Sequence, residues 1–453
     1  MSESDPPQTT IFHRLEFLLF RGMERVLGGI SLADTCRLGR AAGRMLHALT
    51  PRHRRIVRRN LRIATVAEAP SPEQLRELVL EVYRRAGANF LAALKTPTLD
   101  LDAVHEATLA EGTEHLGGRG PGHRGVILTM AHMGNWEATT RLCKAYVGEA
   151  DYGGVYRPLG NPLLDQLTQS RRSMDGAKMF SRKDGFHAPA ALLRDGGMLG
   201  VLADHKAGAR GVAIPFFGKL TTCSPLPTLL AKRGRADVTV LSMATESPGR
   251  WRLGVRPMEG KPEVGRIMSA LEASMRTSLT DVFWFHDRWR VNSLRPLSLF
   301  TRIDPEQAAA ATVPLRMVLS LPHDLEAALR IQITDRLLAS RPDLRLDLLG
   351  DDPALAGNDR IAIHRWDPDQ PPEHADATLR RIDESHPAPL DGVILFGGEK
   401  KIARAAKRAG IRAIVGVGVA GKPWSSRHAT PTDPSGWLAI VDELAWVPPR
   451  FRK

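Results

Sequence analysis

Cysteines, long apolar runs and metal-binding motifs are few or absent in this sequence. Its three cysteines, Cys36, Cys143 and Cys223, are too few for a disulfide framework and too widely spaced for a zinc ribbon. No HExxH motif occurs, so we expect neither a metal nor a cofactor. There is no uninterrupted apolar run of 18 residues, and the N-terminus is acidic where a secretory signal is basic. The sequence therefore predicts a cytosolic protein whose membrane contact is peripheral.

Basic residues outnumber acidic ones, 63 to 50, which gives the 453-residue chain a net charge of +13. The hydrophobic fraction of 43% and the charged fraction of 25% are typical of a globular protein and exclude a disordered or polytopic membrane chain. Residues 301–453 hold equal numbers of basic and acidic residues, so the whole excess lies in residues 1–300. This split predicts two modules, of which the first meets an anionic partner.

The N-terminal region has two features that suit a membrane surface. Residues 11–30 form an amphipathic helical pattern, which fits either a surface helix packed on its own domain or an interfacial anchor. Five arginines then follow within eight residues, and they form either a solvated helix face or a contact with anionic lipid. They are Arg52, Arg54, Arg55, Arg58 and Arg59. Interleaved aromatic residues and nucleic-acid-binding motifs are absent, so we expect no nucleic-acid partner.

From residue 125 onward, strand patterns alternate with helix patterns, which predicts an α/β fold. We expect an α/β module over residues 1–300 that begins with amphipathic helices. A linker over residues 301–312 follows, and five further short strands in residues 313–453 predict a smaller Rossmann-like α/β module.

The segment VILTMAHMGNWEATT, residues 126–140, is the first candidate for chemistry. An apolar strand ends at His132, and Glu137 lies in the first turns of the next helix. A chain that folds back at the strand-helix turn brings the Glu137 carboxylate to one imidazole nitrogen. The other nitrogen is then free to accept a proton. The neighbouring helix N-terminus suits a phosphate or an oxyanion.

Several motifs in order resemble the bacterial lipid A biosynthesis acyltransferases, the lauroyl and myristoyl transferases of the lysophospholipid acyltransferase superfamily. The resemblance covers about residues 10 to 295. In chain order the motifs are IVRRNLRIA, AHMGNWE, VYRPLGNPLLDQL, LLRDGGMLGVLADHKAGARGVAIPFFGK and DVFWFHDRWR. One departure is His205, which stands where the family usually has glutamine.

The resemblance implies acyl transfer from a thioester to a glycolipid hydroxyl. By it, His132 is the general base and Glu137 its charge-relay partner. Arg157 and Asp204 match substrate-site positions, and we place Asn135 and Arg210 of the same motifs with them as substrate-binding residues.

The family resemblance also implies partners and a location for the first module. The donor is acyl carrier protein or acyl-CoA, and the acceptor is a phosphorylated lipid A precursor at the cytoplasmic face of the bacterial inner membrane. Two alternatives remain open, an acyltransferase for another glycolipid that uses acyl-CoA, and a non-catalytic module that binds membrane or carrier.

The second module is similar to the N-terminal half of heptosyltransferase-type glycosyltransferases. Its first strand is followed by LPHD and lacks the Gly-Asp sequence of that family. The sequence contains one such sheet and no second half for a nucleotide-sugar. We therefore expect a docking or regulatory module rather than a glycosyltransferase.

Overall fold

The structure is a computed structural model that describes residues 9–116, 120–183, 185–397, 399–418 and 434–446. The described residues divide into two compact units, and neither is continuous in sequence. The first unit draws on Met1–Pro51, Glu77–His205 and Pro225–Phe283, and the second on Arg52–Arg76, Lys206–Ser224 and Trp284–Lys453. The predicted domain boundaries, 1–300 and 313–453 with a linker at 301–312, stay a prediction.

The first helices begin at residues suited to capping. The Thr10 hydroxyl accepts a hydrogen bond from the backbone N–H of His13 at 3.2 Å, and Ser31 accepts one from Asp34 at 3.1 Å. In chain order the helices are α1 Ile11–Gly28, α2 Leu32–Leu49, α3 Pro51–Ala64, α4 Pro72–Lys95, α5 Leu101–Glu106, α6 Thr139–Val147, α7 Pro162–Arg172, α8 His187–Arg194, α9 Leu226–Gly234, α10 Val264–Arg276, α11 Pro305–Ala309, α12 Ala327–Ser340, α13 Pro372–Glu384, α14 Lys400–Ala409 and α15 Trp437–Leu444.

The strands fall where the sequence pattern alternates between apolar segments and turns. In chain order they are β1 Thr108–Glu111, β2 Val126–Met130, β3 Tyr152–Tyr156, β4 Lys178–Ser181, β5 Met198–Leu202, β6 Val212–Phe216, β7 Lys219–Cys223, β8 Asp237–Ser247, β9 Arg250–Pro257, β10 Leu315–Ser320, β11 Leu344–Leu349, β12 Ile361–His364, β13 Gly392–Phe396 and β14 Ala413–Val417. The predicted α/β fold class is confirmed, and strands alternate with helices from residue 125 onward.

The first unit is built on a seven-stranded sheet in the order β1-β9-β8-β2-β5-β3-β4. Its strands pair in parallel except β8 and β9, which are antiparallel. Every residue of β2 is buried, as expected for a central parallel strand covered on both faces. Because β2, β5, β3 and β4 run in parallel, their carboxyl ends lie along one edge of the sheet. Ligand sites of open α/β sheets form at such an edge.

The second unit holds a five-stranded parallel sheet in the order β12-β11-β10-β13-β14. Numbered along the chain, this order is 3-2-1-4-5, which is the arrangement of a Rossmann-like sheet. Buried aliphatic side chains from β10, β11, β13 and the adjoining helices form its core. The Rossmann-like class predicted for this module is thereby confirmed.

A hairpin in the second unit was not predicted. Strands β6 and β7 pair in an antiparallel ladder through a two-residue turn at Phe217 and Gly218. Both turn residues have positive φ, 51° and 70°, as a type I′ turn requires. Phe216 and Phe217 are buried against Trp284 and Trp289, so the two phenylalanines are core residues of this unit.

A buried carboxylate connects three elements of the second unit. Asp391, directly before β13, accepts hydrogen bonds from Arg59 of α3 at 2.5 Å and from Lys219 of β7 at 2.9 Å. Burial opposes ionisation of Asp391, but the two cations outweigh it, and the pKa of Asp391 is lowered. Asn60 adds a further link, because its amide donates to the backbone carbonyls of Trp284 and His286. Two of the family-like motifs, IVRRNLRIA and DVFWFHDRWR, therefore meet in this unit.

Candidate active site

The candidate site lies in the first unit, at the carboxyl edge of its sheet. Strands β2 and β5 are parallel neighbours, and Met130 of β2 is paired with Leu202 of β5. His132 and Asp204 each follow two residues later, so the register places them side by side. The Nδ1 atom of His132 is 2.7 Å from Oδ1 of Asp204.

The Asp204 carboxylate makes His132 more basic. Asp204 is 1% exposed, whereas the imidazole of His132 keeps 20% of its surface accessible. Burial of the ring lowers the pKa of His132, but the attraction and hydrogen bond from Asp204, with a smaller contribution from Glu137, outweigh it and raise the pKa. Because Nδ1 is held by Asp204, Nε2 is the nitrogen that can meet a substrate proton.

The predicted hydrogen bond between Glu137 and His132 is wrong. Glu137 lies in a 3₁₀ turn, Trp136–Ala138, and its carboxylate is bound by Arg172 at the end of α7. The guanidinium Nε is 2.9 Å from one carboxylate oxygen, and a second nitrogen is 2.5 Å from the other. Burial raises the pKa of Glu137, but this bidentate pair outweighs it and lowers the pKa. Glu137 therefore acts on His132 as a nearby negative charge and not as a direct orienting partner.

His205 stacks on the ring of His132. The two ring centroids are 4.5 Å apart and the ring planes differ by 19°. His132, Asp204 and His205 together offer ligand atoms within 4.8 Å of one another. The lone pairs of stacked imidazoles lie in nearly parallel planes, so a single ion cannot lie in both ring planes unless one ring rotates. The arrangement seen here suits a base and its neighbours better than a metal centre.

The other three predicted substrate-binding residues have different surroundings. Asn135 is 2% exposed, and its amide donates to the Thr96 hydroxyl at 3.0 Å. Within the described ranges its carbonyl oxygen has no protein partner. Arg157 is exposed directly after β3, on the same sheet edge as His132. Arg210 is exposed and belongs to the second unit.

A cavity of about 540 Å³ lies in the first unit, and its lining begins at Pro158, the residue after Arg157. The loop after β3 and one side of α7 line it, together with Lys183. Its lining mixes backbone, glutamine and serine groups with Leu159 and proline rings. This composition can accept a ligand that has both polar and apolar parts.

Sequence reasoning named His132 and Asp204 but not their contact. A signal was present, since two apolar strands end in the similar sequences LTMAH and GVLAD. Equivalent positions on neighbouring parallel strands meet at one edge, so this likeness would have paired the two side chains had the strand order been known. Arg172 carried no signal, because nothing in its helix marks it as the partner of Glu137.

Comparison with known proteins decides the family. The model of the bacterial lipid A biosynthesis acyltransferases matches residues 19–291, more than half of the chain. The chain belongs to this family. It is also 27% identical over 265 residues to the lipid A biosynthesis lauroyltransferase of Escherichia coli (strain K12), and the alignment covers 56% of this chain and 84% of the relative.

The match confirms that the protein is an acyltransferase, rather than the non-catalytic binding module considered above. It also supports acyl transfer in lipid A biosynthesis as its general activity. His132, Asp204 and Glu137 all lie within the matched residues of this acyltransferase, and so does Arg210. The five-stranded sheet of the second unit lies after residue 291, outside the matched segment.

The pH dependence of the acyltransferase is expected to follow the charges around His132. An imidazole must be neutral to accept a proton. With His132 as the general base proposed below, its raised pKa predicts an acid limb of the rate profile above about 6.5, the ordinary value for histidine. The variant Glu137→Gln removes one negative charge and leaves the Arg172 cation unneutralised, and both changes favour the neutral ring. We expect the acid limb of kcat/KM to move to lower pH in this variant.

The control for the pH profile is Glu149→Gln, which removes an exposed carboxylate outside the site and should leave the profile unchanged. An unchanged acid limb in Glu137→Gln would show that the limb does not report His132. The stability of the fold changes with pH in the opposite direction to the rate. The His132 and Asp204 pair stabilises the folded protein fully below the pKa of histidine in the unfolded chain, and this stabilisation is lost as pH rises through the raised pKa of the folded protein.

Proposed function

We propose that the protein transfers a fatty acyl chain from an acyl carrier protein thioester to a hydroxyl of a lipid A precursor, with His132 as general base. The observation that carries this proposal is the 2.7 Å contact between His132 and the buried carboxylate of Asp204 at a sheet edge. It supports a ring whose neutral form carries its proton on Nδ1 and whose Nε2 is a stronger base, which is what proton abstraction from a hydroxyl needs.

The proposed reaction is a direct transfer. As the acceptor oxygen attacks the thioester carbonyl, its proton passes to Nε2 of His132 and a C–O bond forms. The tetrahedral intermediate then collapses, the C–S bond breaks, and the thiolate leaves and takes the proton from the imidazolium. The negative charge of Asp204 stabilises the imidazolium between these steps. Glu137 adds a weaker attraction, because Arg172 neutralises most of its charge.

The donor and the acceptor are both tested by one assay of the purified protein. Acyl-acyl carrier protein and acyl-CoA of equal chain length are each offered with a lipid A precursor or with an unrelated glycolipid, and the acylated lipid is measured by mass spectrometry. We expect product from the carrier protein and the lipid A precursor. Product from acyl-CoA and the other glycolipid alone would favour the first alternative. No product with any pair would count against the proposal.

We also propose that α1 docks the protein on a lipid surface, as expected for an enzyme of the cytoplasmic face of the inner membrane. Ile11, Phe12 and Leu19 of this helix are 71%, 77% and 72% exposed, and several further apolar side chains of α1 are also exposed. The opposite face is fixed to α7 by an ion pair between Glu24 and Arg171. Among the described residues, no helix combines the length and apolar character needed to cross a membrane. An amphipathic helix held in this way suits an interfacial position.

The test of this surface is binding to anionic phospholipid vesicles, measured by flotation. Leu19→Glu replaces a side chain that would be buried in lipid with a charge, and we expect at least about 10-fold weaker binding. Leu109→Glu is the matched control, because Leu109 is 55% exposed in β1 of the same unit but outside α1. Equal loss in both variants would mean that charge alone weakens binding and that α1 has no special role.

For the second unit, we propose a docking or regulatory role on a sheet similar to half of a heptosyltransferase-type glycosyltransferase. The strand order 3-2-1-4-5 supports this likeness at the level of the fold. The likeness does not extend to activity, since fold alone does not imply function.

A further inference from the structure

The arginines that follow the N-terminal helices do not form a plain solvated face. Arg52, Arg55 and Arg58 of α3 line a cleft of about 760 Å³, and α13 and the end of α14 line its other side. All of its lining residues belong to the second unit. The cleft lies at the amino-terminal edge of the five-stranded sheet, because residues 389–391 and 409–412 of its lining directly precede β13 and β14. It is therefore separate from the carboxyl edge at which Rossmann-like sheets hold nucleotides.

The cleft has a strong excess of positive charge. Ten basic and five acidic side chains line it. Four of the arginines are neutralised in ion pairs with carboxylates of the cleft, among them Arg59 with Asp287 and Arg62 with Asp383. In the described part of the chain, the six other cations have no carboxylate partner. These are Arg52, Arg55, Arg58, Arg290, Arg380 and Lys407.

One of these six cations is held in place by the backbone. Arg55 donates to the carbonyl oxygen of Arg408 at 3.3 Å, where α14 ends at Gly410. Gly410 has φ of 80°, and a Cβ atom built there would lie 3.0 Å from the Arg55 side chain. The glycine thus leaves room for Arg55 over the helix end. The contact holds the Arg55 guanidinium at the cleft, and because its partner is a neutral backbone carbonyl, the positive charge is not neutralised.

The cleft also has an apolar component. Leu379 and Leu390 are buried beneath it, and Ile56, Val291 and Ile411 are partly buried along its walls. A cavity of this volume with apolar lining and a few charged groups is typical of a small-molecule site. Guanidinium groups bind the oxygens of phosphates and of carboxylates in bidentate fashion, so it is the number of cations in the cleft that distinguishes the two kinds of ligand.

We propose that this cleft binds a small organic molecule that carries a diphosphate group. The ten basic and five acidic side chains of the cleft leave an excess of five positive charges. This excess is larger than the roughly two negative charges of one phosphate monoester, which favours two adjacent phosphates. The apolar side chains contact the organic part. Four of the six unpaired cations come from the acyltransferase segment, namely Arg52, Arg55, Arg58 and Arg290. Arg380 and Lys407 follow residue 291, so the site is assembled only when the second unit is complete. The proposal does not depend on the acyl-transfer mechanism.

The test is direct binding to the full-length protein at low and at moderate salt. Adenosine diphosphate and inorganic pyrophosphate are titrated by calorimetry, and phosphatidylcholine vesicles with and without diacylglycerol diphosphate are tested by flotation. Saturable binding of the soluble probes indicates a free ligand, and binding of the doped vesicles alone indicates a lipid diphosphate. We expect Arg58→Ala and Arg380→Ala each to weaken binding of whichever probe binds the unmodified protein, by about 10-fold. Both side chains are exposed, so folding should be retained.

Two controls separate this site from general attraction and from catalysis. Arg404→Ala removes an exposed arginine of α14 that does not line the cleft, and it should leave affinity unchanged. His132→Ala should also bind normally, since His132 lies outside the cleft. The proposal is overturned if no probe binds saturably, or if Arg404→Ala weakens binding as much as Arg58→Ala does.

Discussion

Acyl transfer is expected to fall by about 100- to 10,000-fold in kcat when His132 is replaced by alanine, because this is what a positioned general base contributes and here no second base takes its place. His205 stacks on the His132 ring but is held 4.5 Å away between centroids, and Asp204 is buried. Neither side chain can reach the position that Nε2 occupies without rearrangement. The measurement is the initial rate with saturating donor and acceptor.

The control for this variant is His123→Ala, which removes an exposed histidine shortly before β2. Its rate should equal that of the unmodified enzyme. The melting temperature of His132→Ala should fall, because the buried Asp204 loses the imidazole as its partner, and the rates are therefore compared at a temperature where both proteins are folded. A rate within 10-fold of the unmodified enzyme would show that another group removes the proton.

The second large effect is expected from Asp204→Asn, which keeps the shape of the side chain and removes its charge. The asparagine amide can donate to Nδ1 of His132, and this would fix the tautomer that carries its proton on Nε2. Such a ring cannot accept a proton from the substrate. We expect kcat/KM to fall by at least about 100-fold, and the acid limb of the remaining activity to move to lower pH.

Asp195→Asn is the matched control for Asp204, because Asp195 is exposed in the turn before β5 and touches no part of the site. Comparing the loss of activity in Asp204→Asn with that in Glu137→Gln shows which of the two carboxylates matters more for catalysis. If Glu137→Gln lost far more activity than Asp204→Asn, Glu137 would be the orienting group despite its pairing with Arg172. A larger loss in Asp204→Asn supports the geometry described above.

The fold was largely predictable from the sequence, because period-two and helical apolar patterns report local structure. The seven- and five-stranded sheets follow segments such as GVILTMAH and RMVLSL, which are continuous, apolar and bounded by turns. The β6–β7 hairpin was missed because its turn, Phe217-Gly218, has an aromatic residue where type I′ turns usually have asparagine or aspartate.

The candidate site was predictable only in its parts. His132 and Asp204 both follow apolar strands, which marks them as edge residues. Their contact depends on β2 and β5 being neighbours, and strand order is set by packing between segments distant in sequence. The spacing of five residues between His132 and Glu137 suggested a local pair. The competing partner Arg172 comes from a helix end 35 positions away from Glu137.

The buried carboxylate of Asp391 makes the acyltransferase segment dependent on the chain that follows it. Arg59 and Lys219 lie within the residues matched by the family, whereas Asp391 lies 100 positions beyond their end. A protein cut at residue 300 would keep both cations, but Lys219 would lose its carboxylate partner and Arg59 would keep only Asp287. Lys219 is 2% exposed in the intact protein and also donates to the backbone carbonyl of Pro314, so the truncation would remove both of these partners. The extension is thus a structural part of this enzyme and not a removable appendage, and engineering of either portion has to preserve the other.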